Sequence, residues 1–254
     1  MKPICAFLFL TALHTPAWAL DVPAQLQWSQ RVALSTSVSG IVQAVHASVG
    51  ERVKKGQVLA TLDASGYQAQ VAESQAVIAR TKEEQLDAKR NLDRVDELYK
   101  RTVISTSELE AAQTRHVRAT AQLDEVQALL RRAQKTLGDA TLRAPFDALI
   151  LTRQVEPGQI VASQFQPQAL FVVARAGEMM ARAKLNLAQI ETLKIGDVLS
   201  VEVNKQSYRG KVKTLGLEPV GEKDGKGDSG YQVEVLFAVR DVLRAGTPAV
   251  IKLP

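Results

Sequence analysis

Hydrophobic positions follow two different repeats along this chain. Between residues 64 and 138 they recur with heptad spacing, whereas on both sides they alternate with polar residues or cluster beside glycines. Heptad spacing is typical of a coiled-coil helix, and alternation with period two is typical of a β-strand. The pattern therefore predicts a mainly β fold into which a long α-helical coiled-coil segment is inserted.

The central stretch has the composition of a helix as well as its periodicity. It contains no proline, and its only glycines, Gly66 and Gly138, lie near its ends. In the first half, one seven-residue register is interrupted at Gln85, while Ala88 and Val95 fill the alternate positions. That register consists of Val71, Ile78, Leu92 and Tyr99. The second half has an unbroken seam: Leu109, Ala112, His116, Ala119, Leu123, Val126, Leu130, Ala133 and Leu137.

A turn is predicted inside this stretch, near residues 101–106. Val103 and Ile104 are β-branched and therefore less favourable in a helix. Ser105 is followed three residues later by Glu108, which is the spacing of a capping box at a helix start. Two helices of about 33 residues joined by a short turn must lie antiparallel, each about 50 Å long. Residues 64–138 thus predict a hairpin that projects toward solvent or toward a partner.

The segments on the two sides of the hairpin resemble each other. VSGIVQAVHASVGERVKKGQVL before it and RAPFDALILTRQVEPGQIVASQ after it each carry a V-x-x-G turn between apolar pairs. We interpret residues 20–63 and 139–173 as two half-modules of one sheet sandwich. Residues 174–254 contain the alternating runs SVEVNKQSYRGKVKTL and YQVEVLFAVR, separated by the loop GEKDGKGDSG, and predict a small β-barrel.

The N-terminus has the pattern of an export signal. Lys2 precedes an apolar run from Ile4 to Leu13, and Ala17-Trp18-Ala19 is a small-x-small cleavage pattern. The apolar run is shorter than the roughly 20 residues that span a bilayer. We therefore expect residues 1–19 to be a signal peptide and the mature protein to begin at Leu20 in the periplasm. Cys5 is the only cysteine of the chain, so no disulfide is expected.

Several functional classes are disfavoured by what the sequence contains. The net charge of +5 is spread along the chain without a basic run containing aromatic residues, so nucleic acid is not an expected partner. We find no Ser-His-Asp set, paired carboxylates or Gly-rich phosphate loop, and we expect no enzymatic activity. His46 and His116 lack companion ligands, so we predict no metal and no cofactor, and we expect His116 to pack in the seam.

The residues from Val49 to Asp63, VGERVKKGQVLATLD, resemble half of a biotinyl or lipoyl domain. In those domains a tight turn carrying a modifiable lysine joins the halves, whereas here the hairpin occupies that junction. A carrier of a covalent cofactor is therefore the less favoured hypothesis, since Lys54 and Lys55 lie inside the half-module. A split lipoyl-like module, or barrel-sandwich hybrid, with a helical hairpin and a β-barrel is similar to the periplasmic adaptors of tripartite efflux pumps, the HlyD-like membrane fusion proteins.

The resemblance extends to the predicted turn. These adaptors carry the channel-binding motif Arg-x3-Leu-x6-Ser, and Arg94, Leu98 and Ser105 match it at that spacing. The resemblance implies an outer-membrane channel of the TolC type and an inner-membrane transporter of the resistance-nodulation-division (RND) type as partners. It also implies self-association as a trimer or hexamer in the assembly.

Two expectations about the transporter side remain open. An adaptor of an ABC-type exporter or of a type I secretion system would have the same hairpin, and this is the alternative function. Adaptors usually continue past the barrel into a membrane-proximal domain and often carry a lipid anchor. From the C-terminal sequence GTPAVIKLP we expect neither feature here.

Overall fold

The computed structural model describes residues 20–162, 168–220 and 230–253. The predicted signal peptide and nearly all of the predicted loop at 221–230 lie outside the described residues. The helices are α1 (Ser65–Lys100), α2 (Thr106–Asp139) and α3 (Leu187–Glu191). The strands are β1 (Leu20–Trp28), β2 (Arg31–Leu34), β3 (Gly40–Val45), β4 (Arg52–Val53), β5 (Val58–Leu62), β6 (Thr141–Arg143), β7 (Ala148–Arg153), β8 (Ile160–Val161), β9 (Phe171–Arg175), β10 (Glu178–Leu185), β11 (Val198–Val203), β12 (Gln206–Val220), β13 (Gly230–Ala238) and β14 (Pro248–Leu253).

The strands confirm the mainly β fold class, and they form two separate units. One unit, residues 31–176, contains two four-stranded sheets with the strand orders β2-β9-β7-β4 and β6-β5-β3-β8. The other unit contains the described residues up to Gln30 and from Gly177 onward, and its strands close into a barrel. Each unit has its own hydrophobic core, centred on Leu59, Ile150 and Phe171 in the sandwich and on Leu26, Val201 and Ile251 in the barrel.

The V-x-x-G turns of the two half-modules have the same local structure. Gly56 and Gly158 have φ angles of +83° and +86°, a region that is costly for residues with a Cβ atom. In both turns the glutamine after the glycine accepts a hydrogen bond from the backbone N–H three residues earlier. The distances are 3.0 Å for Gln57 and 3.1 Å for Gln159. The similarity of the two segments is therefore a similarity of turn geometry.

Each of these turns hydrogen-bonds to the opposite half of the module. The N–H of Gly56 donates to the carbonyl of Ala144, and the N–H of Gly158 donates to the carbonyl of Val42, both at 2.8 Å. Strand β3 from the first half also pairs with β8 from the second, as β4 does with β7. The two halves consequently form one sandwich, although the helices separate them in sequence.

Strand β1 corrects the boundary predicted for the first half-module. Residues 20–28 were expected in the sandwich, but β1 pairs with β10 and β14 and closes the barrel. Its inward residues are Val22, Ala24 and Leu26, which alternate with exposed positions. Such alternation predicts a half-buried strand without indicating its partner, because pairing is decided by distant segments of the chain.

The two long helices pack against each other through the predicted seam. In α2, Ala112, Val126 and Ala133 are buried, and the remaining seam residues are half-buried. In α1 the buried residues are Thr81 and Ala88, so the seam includes a threonine that hydrophobic periodicity alone does not reveal. Supercoiling of the two helices stays a prediction.

Side-chain hydrogen bonds attach the base of the hairpin to the sandwich. The Tyr67 hydroxyl, in the first turn of α1, donates to the carbonyl of Ser39 at 2.6 Å. The Ser37 hydroxyl donates to the Asp139 carboxylate, at the end of α2, at 3.0 Å. A hydrogen bond from Lys135 outweighs the effect of burial and, together with the bond from Ser37, lowers the pKa of Asp139 below its usual value. Both helices are therefore attached to the same segment, residues 37–39.

The conformation of the turns leads to a prediction about stability. Gly158→Ala should lower the free energy of unfolding by about 1–2 kcal/mol, because an alanine at this positive φ is strained although the space around its Cβ is open. Gly138→Ala in α2 should instead raise it by up to about 1 kcal/mol, since its φ is not positive and alanine favours the helix. Urea unfolding followed by circular dichroism measures both, and shifts in the same direction would contradict the assignment.

Candidate functional site: the hairpin tip

The three residues predicted to bind a partner lie around the turn between α1 and α2. Arg94 and Leu98 are one helical turn apart near the end of α1, so they share a side of the helix. Ser105 directly precedes α2 as its N-cap residue. At 1.5 Å per residue, the turn lies about 50 Å along the helices from the base of the hairpin.

Ser105 forms a complete capping box with Glu108. Its hydroxyl accepts a hydrogen bond from the Glu108 N–H at 3.4 Å, and its own N–H donates to the Glu108 carboxylate at 3.0 Å. These two bonds satisfy backbone donors that have no partner within the helix. The serine therefore has a structural role at the start of α2, independent of any contact with a partner.

The end of α1 contains an unusual backbone conformation that sequence analysis did not predict. The N–H of Thr102 donates to the carbonyl of Tyr99 at 2.8 Å, and the N–H of Val103 donates to that of Leu98 at 3.1 Å. This pair of bonds is a Schellman motif, which normally has glycine at its left-handed residue. Here that residue is Thr102, with φ +62°. A β-branched residue in this region is strained. The sequence contained one indication of this strain, because the turn predicted near residues 101–106 has no glycine.

The tip exposes apolar surface. Leu98, Tyr99 and Val103 are 36%, 38% and 66% exposed. The seam between the helices does not bury them, because they lie at its outer end. Sequence analysis named Leu98 as a channel-binding residue, and the structure adds Val103 to the patch. Exposed apolar side chains clustered at the end of a hairpin are typical of a protein-binding surface.

The charges near the tip are unevenly balanced. Lys100 forms ion pairs with Asp96 at 2.7 Å and Glu97 at 3.2 Å, and these hydrogen bonds raise the pKa of its ammonium group. Arg94 instead donates to the neutral side-chain amide of Asn91 at 2.7 Å. The positive charge of Arg94 is therefore not compensated by a carboxylate, unlike that of Lys100.

The described residues contain no group of three or more His, Cys, Asp or Glu side chains that could hold a metal ion. In residues 20–162, 168–220 and 230–253, we also find no helix with the length and hydropathy needed to cross a bilayer. The candidate site is the surface of the hairpin tip, where exposed apolar side chains lie near Arg94.

The fold is that of solved membrane fusion proteins. A chimeric MacA-MexA protein containing the α-hairpin domain of Pseudomonas aeruginosa MexA superposes with a TM-score of 0.65 and 21% identity, covering 92% of this chain and 77% of that one. The membrane fusion protein Spr0693 of Streptococcus pneumoniae R6 superposes with a TM-score of 0.69 and 14% identity, covering 92% of this chain and 97% of the other. At these identities the likeness concerns the fold.

The family is defined by the sandwich unit. Residues 30–175 match the CzcB-like barrel-sandwich hybrid domain, and the chain belongs to that family. Among curated proteins, the multidrug resistance protein MdtA of Escherichia coli O45:K1 and that of Cronobacter turicensis are each 30% identical over 132 residues. The aligned segment is 52% of this chain and 32% of either relative, so the match spans about a third of their length.

Substitution of Ser105 separates its capping role from a role in binding. Ser105→Ala should lower the free energy of unfolding by about 1 kcal/mol, because Glu108 loses its acceptor. Ser105→Asn should leave stability nearly unchanged, since asparagine is an equally good N-cap and adds no charge beside the Glu108 carboxylate, which lies 3.3 Å from the Ser105 hydroxyl. Thermal unfolding of the two variants measures this, and equal losses of stability would show that the capping box contributes little.

Relief of the strain at Thr102 should stabilise the protein. Thr102→Gly places glycine at the left-handed residue of the Schellman motif, and we expect a gain of about 1 kcal/mol in the free energy of unfolding. Thr106→Gly, in the first turn of α2, is the matched control and should be destabilising. Denaturant unfolding compares the two, and destabilisation by Thr102→Gly would contradict the strained conformation.

Proposed function

We propose that this protein is a periplasmic adaptor of a tripartite efflux pump, exported by residues 1–19. In this role it bridges an inner-membrane RND-type transporter and an outer-membrane TolC-type channel, supports export of small molecules and catalyses no reaction. The observation that carries the proposal is the hairpin tip, which combines exposed apolar side chains with the uncompensated charge of Arg94. The family membership and the multidrug resistance relatives support it.

The tip would bind the channel through Arg94, Leu98 and Ser105. Leu98 provides an apolar side chain for a groove between helices of the channel, and Arg94 donates hydrogen bonds beside it. Ser105 holds the start of α2 in place through its capping box, so its contribution includes the shape of the tip. Several such tips acting together, in a trimer or hexamer of adaptors, would convert a weak contact into a stable one.

The long hairpin suits this bridging role for a mechanical reason. Helices of 36 and 34 residues are much longer than the sandwich core needs, and most of their surface is exposed. Their hydrogen-bonded base fixes where both helices leave the sandwich, so the tip is held at a distance of about 50 Å. This arrangement allows the tip to reach the channel at a distance from the sandwich.

Site-specific cross-linking tests the proposal. Leu98→Cys, labelled with a maleimide-benzophenone reagent and irradiated, should cross-link to a TolC-type outer-membrane channel in cells of the same organism. The matched control is Val117→Cys, which replaces another exposed apolar residue, about 18 Å along α2 from Ser105. The adduct is identified by immunoblotting for the channel. If the signal peptide is removed, Cys5 is lost and cannot react with the reagent. If it is retained, the variant Cys5→Ser prevents labelling at that position.

The outcome of this experiment distinguishes the possibilities clearly. Cross-linking of Leu98→Cys but not of Val117→Cys to the channel would support docking through the tip. No cross-link to the channel from Leu98 or Ser105, while other surface positions do react with it, would show that the tip is not the binding site. Cross-linking of an ABC-type exporter or of an RND transporter from cysteines placed in the barrel would identify the transporter class.

A further inference from the structure

The two flanks of the hairpin differ in chemistry. One flank, which we call the Leu98 flank, consists of residues spaced seven apart on both helices: Gln70, Val77, Glu84, Asn91 and Leu98 on α1, and Glu108, Arg115, Gln122, Leu129 and Thr136 on α2. The corresponding positions beside the other edge of the seam are polar: Gln75, Lys82, Lys89, Asp96, Gln113, Thr120, Gln127 and Gln134. Exposed apolar side chains at these spacings, such as Leu98 and Leu129, thus occur on the first flank.

A groove runs between the helices on the Leu98 flank. Its outer part, toward the tip, is lined by Glu84, Asp87, Ala88, Arg90, Asn91, Arg94, Arg115 and Ala119. Ala88 and Ala119 belong to the seam, and Ala88 is buried. Because alanine fills little space there, a third helix could approach the pair closely. The groove leads toward Leu98, one turn beyond Arg94 on α1.

The charges that line the outer groove are not balanced within the hairpin. Asp87 is paired with Arg90, and Glu84 lies 3.8 Å from Arg80. Arg94 bonds to the neutral amide of Asn91. The Arg115 side chain is exposed and forms no hydrogen bond or ion pair with any other residue in the described part of the chain. The groove thus presents two guanidinium groups, one from each helix, that have no carboxylate partner.

We propose that the outer groove docks an acidic α-helix of the partner, with Arg94 and Arg115 binding its carboxylates from the two sides. A guanidinium group can bind a carboxylate through two parallel hydrogen bonds. This geometry makes the contact strong and fixes the orientation of the two groups. The alanine floor and the adjoining Leu98 suit the apolar side of a helix better than a flat or strongly charged surface. This inference rests on the proposed function, since it assigns Arg115 and the groove to the same channel.

Neutralisation of Arg115 tests the inference. With the purified TolC-type channel of the same organism in detergent as the probe, Arg115→Gln should weaken binding about fivefold. The dependence of affinity on salt should also become less steep, because a charge pair is lost. Arg131→Gln is the matched control, since Arg131 is another exposed arginine of α2 that lies outside the groove. Helix content, measured by circular dichroism, should stay unchanged in both variants.

The remaining outcomes separate this inference from the proposed function. If Leu98→Asp abolishes binding to the channel while Arg115→Gln changes neither affinity nor salt dependence, the tip docks and the inference is wrong. If Arg115→Gln and Arg131→Gln weaken binding equally, the effect is one of overall charge, and the inference is also wrong. The protein could also bind anionic vesicles, and Arg115→Gln could abolish this binding without changing the affinity for the channel. This result would show that the groove binds lipid, and the inference would be wrong. If the channel does not bind the unmodified protein, the proposed function fails and the inference falls with it.

Discussion

The N–H of Leu62 donates to the carbonyl of Ala140 at 2.8 Å, and this hydrogen bond joins the chain immediately before the hairpin to the chain immediately after it. Most of the sandwich unit depends on this joining of the two segments that flank the hairpin. The two half-modules must meet for either to complete its sheet, and the ends of α1 and α2 are then brought together at the base. The start of α1 and the end of α2 are then close together, and the two helices share an apolar seam. They bury this seam only by lying side by side, so they form an antiparallel hairpin.

This constraint also explains why a long insertion is compatible with a stable sandwich. The entropic cost of closing a loop grows only with the logarithm of its length, so a large insertion adds little to the cost of pairing the half-modules. The helices reduce even that cost, since their own packing brings the ends of the insertion together. The turns at Gly56 and Gly158 then connect each half to the other by backbone hydrogen bonds that do not depend on particular side chains.

The tip has the opposite character from the base. At the base, hydroxyl and carboxylate groups are paired, as in the bond between Ser37 and Asp139. At the tip, Thr102 is held in a left-handed conformation, Val103 is exposed, and Arg94 has no carboxylate partner. Strained backbone and uncompensated surface at one place are typical of a binding site, where groups are left available for a partner rather than satisfied within the fold. The hairpin thus has a base that is hydrogen-bonded to the sandwich and a tip whose apolar and charged side chains are available to a partner.

Local features of this protein could be predicted from its sequence. The seam of α2, the turn near residues 101–106, the capping box of Ser105 and the V-x-x-G turns all depend on residues close together in the chain, so periodicity and spacing were sufficient to find them. Only the tertiary structure decided the features that depend on distant partners. It placed β1 in the barrel, included Thr81 in the seam, and brought Arg94 and Arg115 to one groove. The physical reason is the same in each case: a side chain's sequence neighbours determine its local structure, but its burial and its charge balance depend on segments that only folding brings beside it.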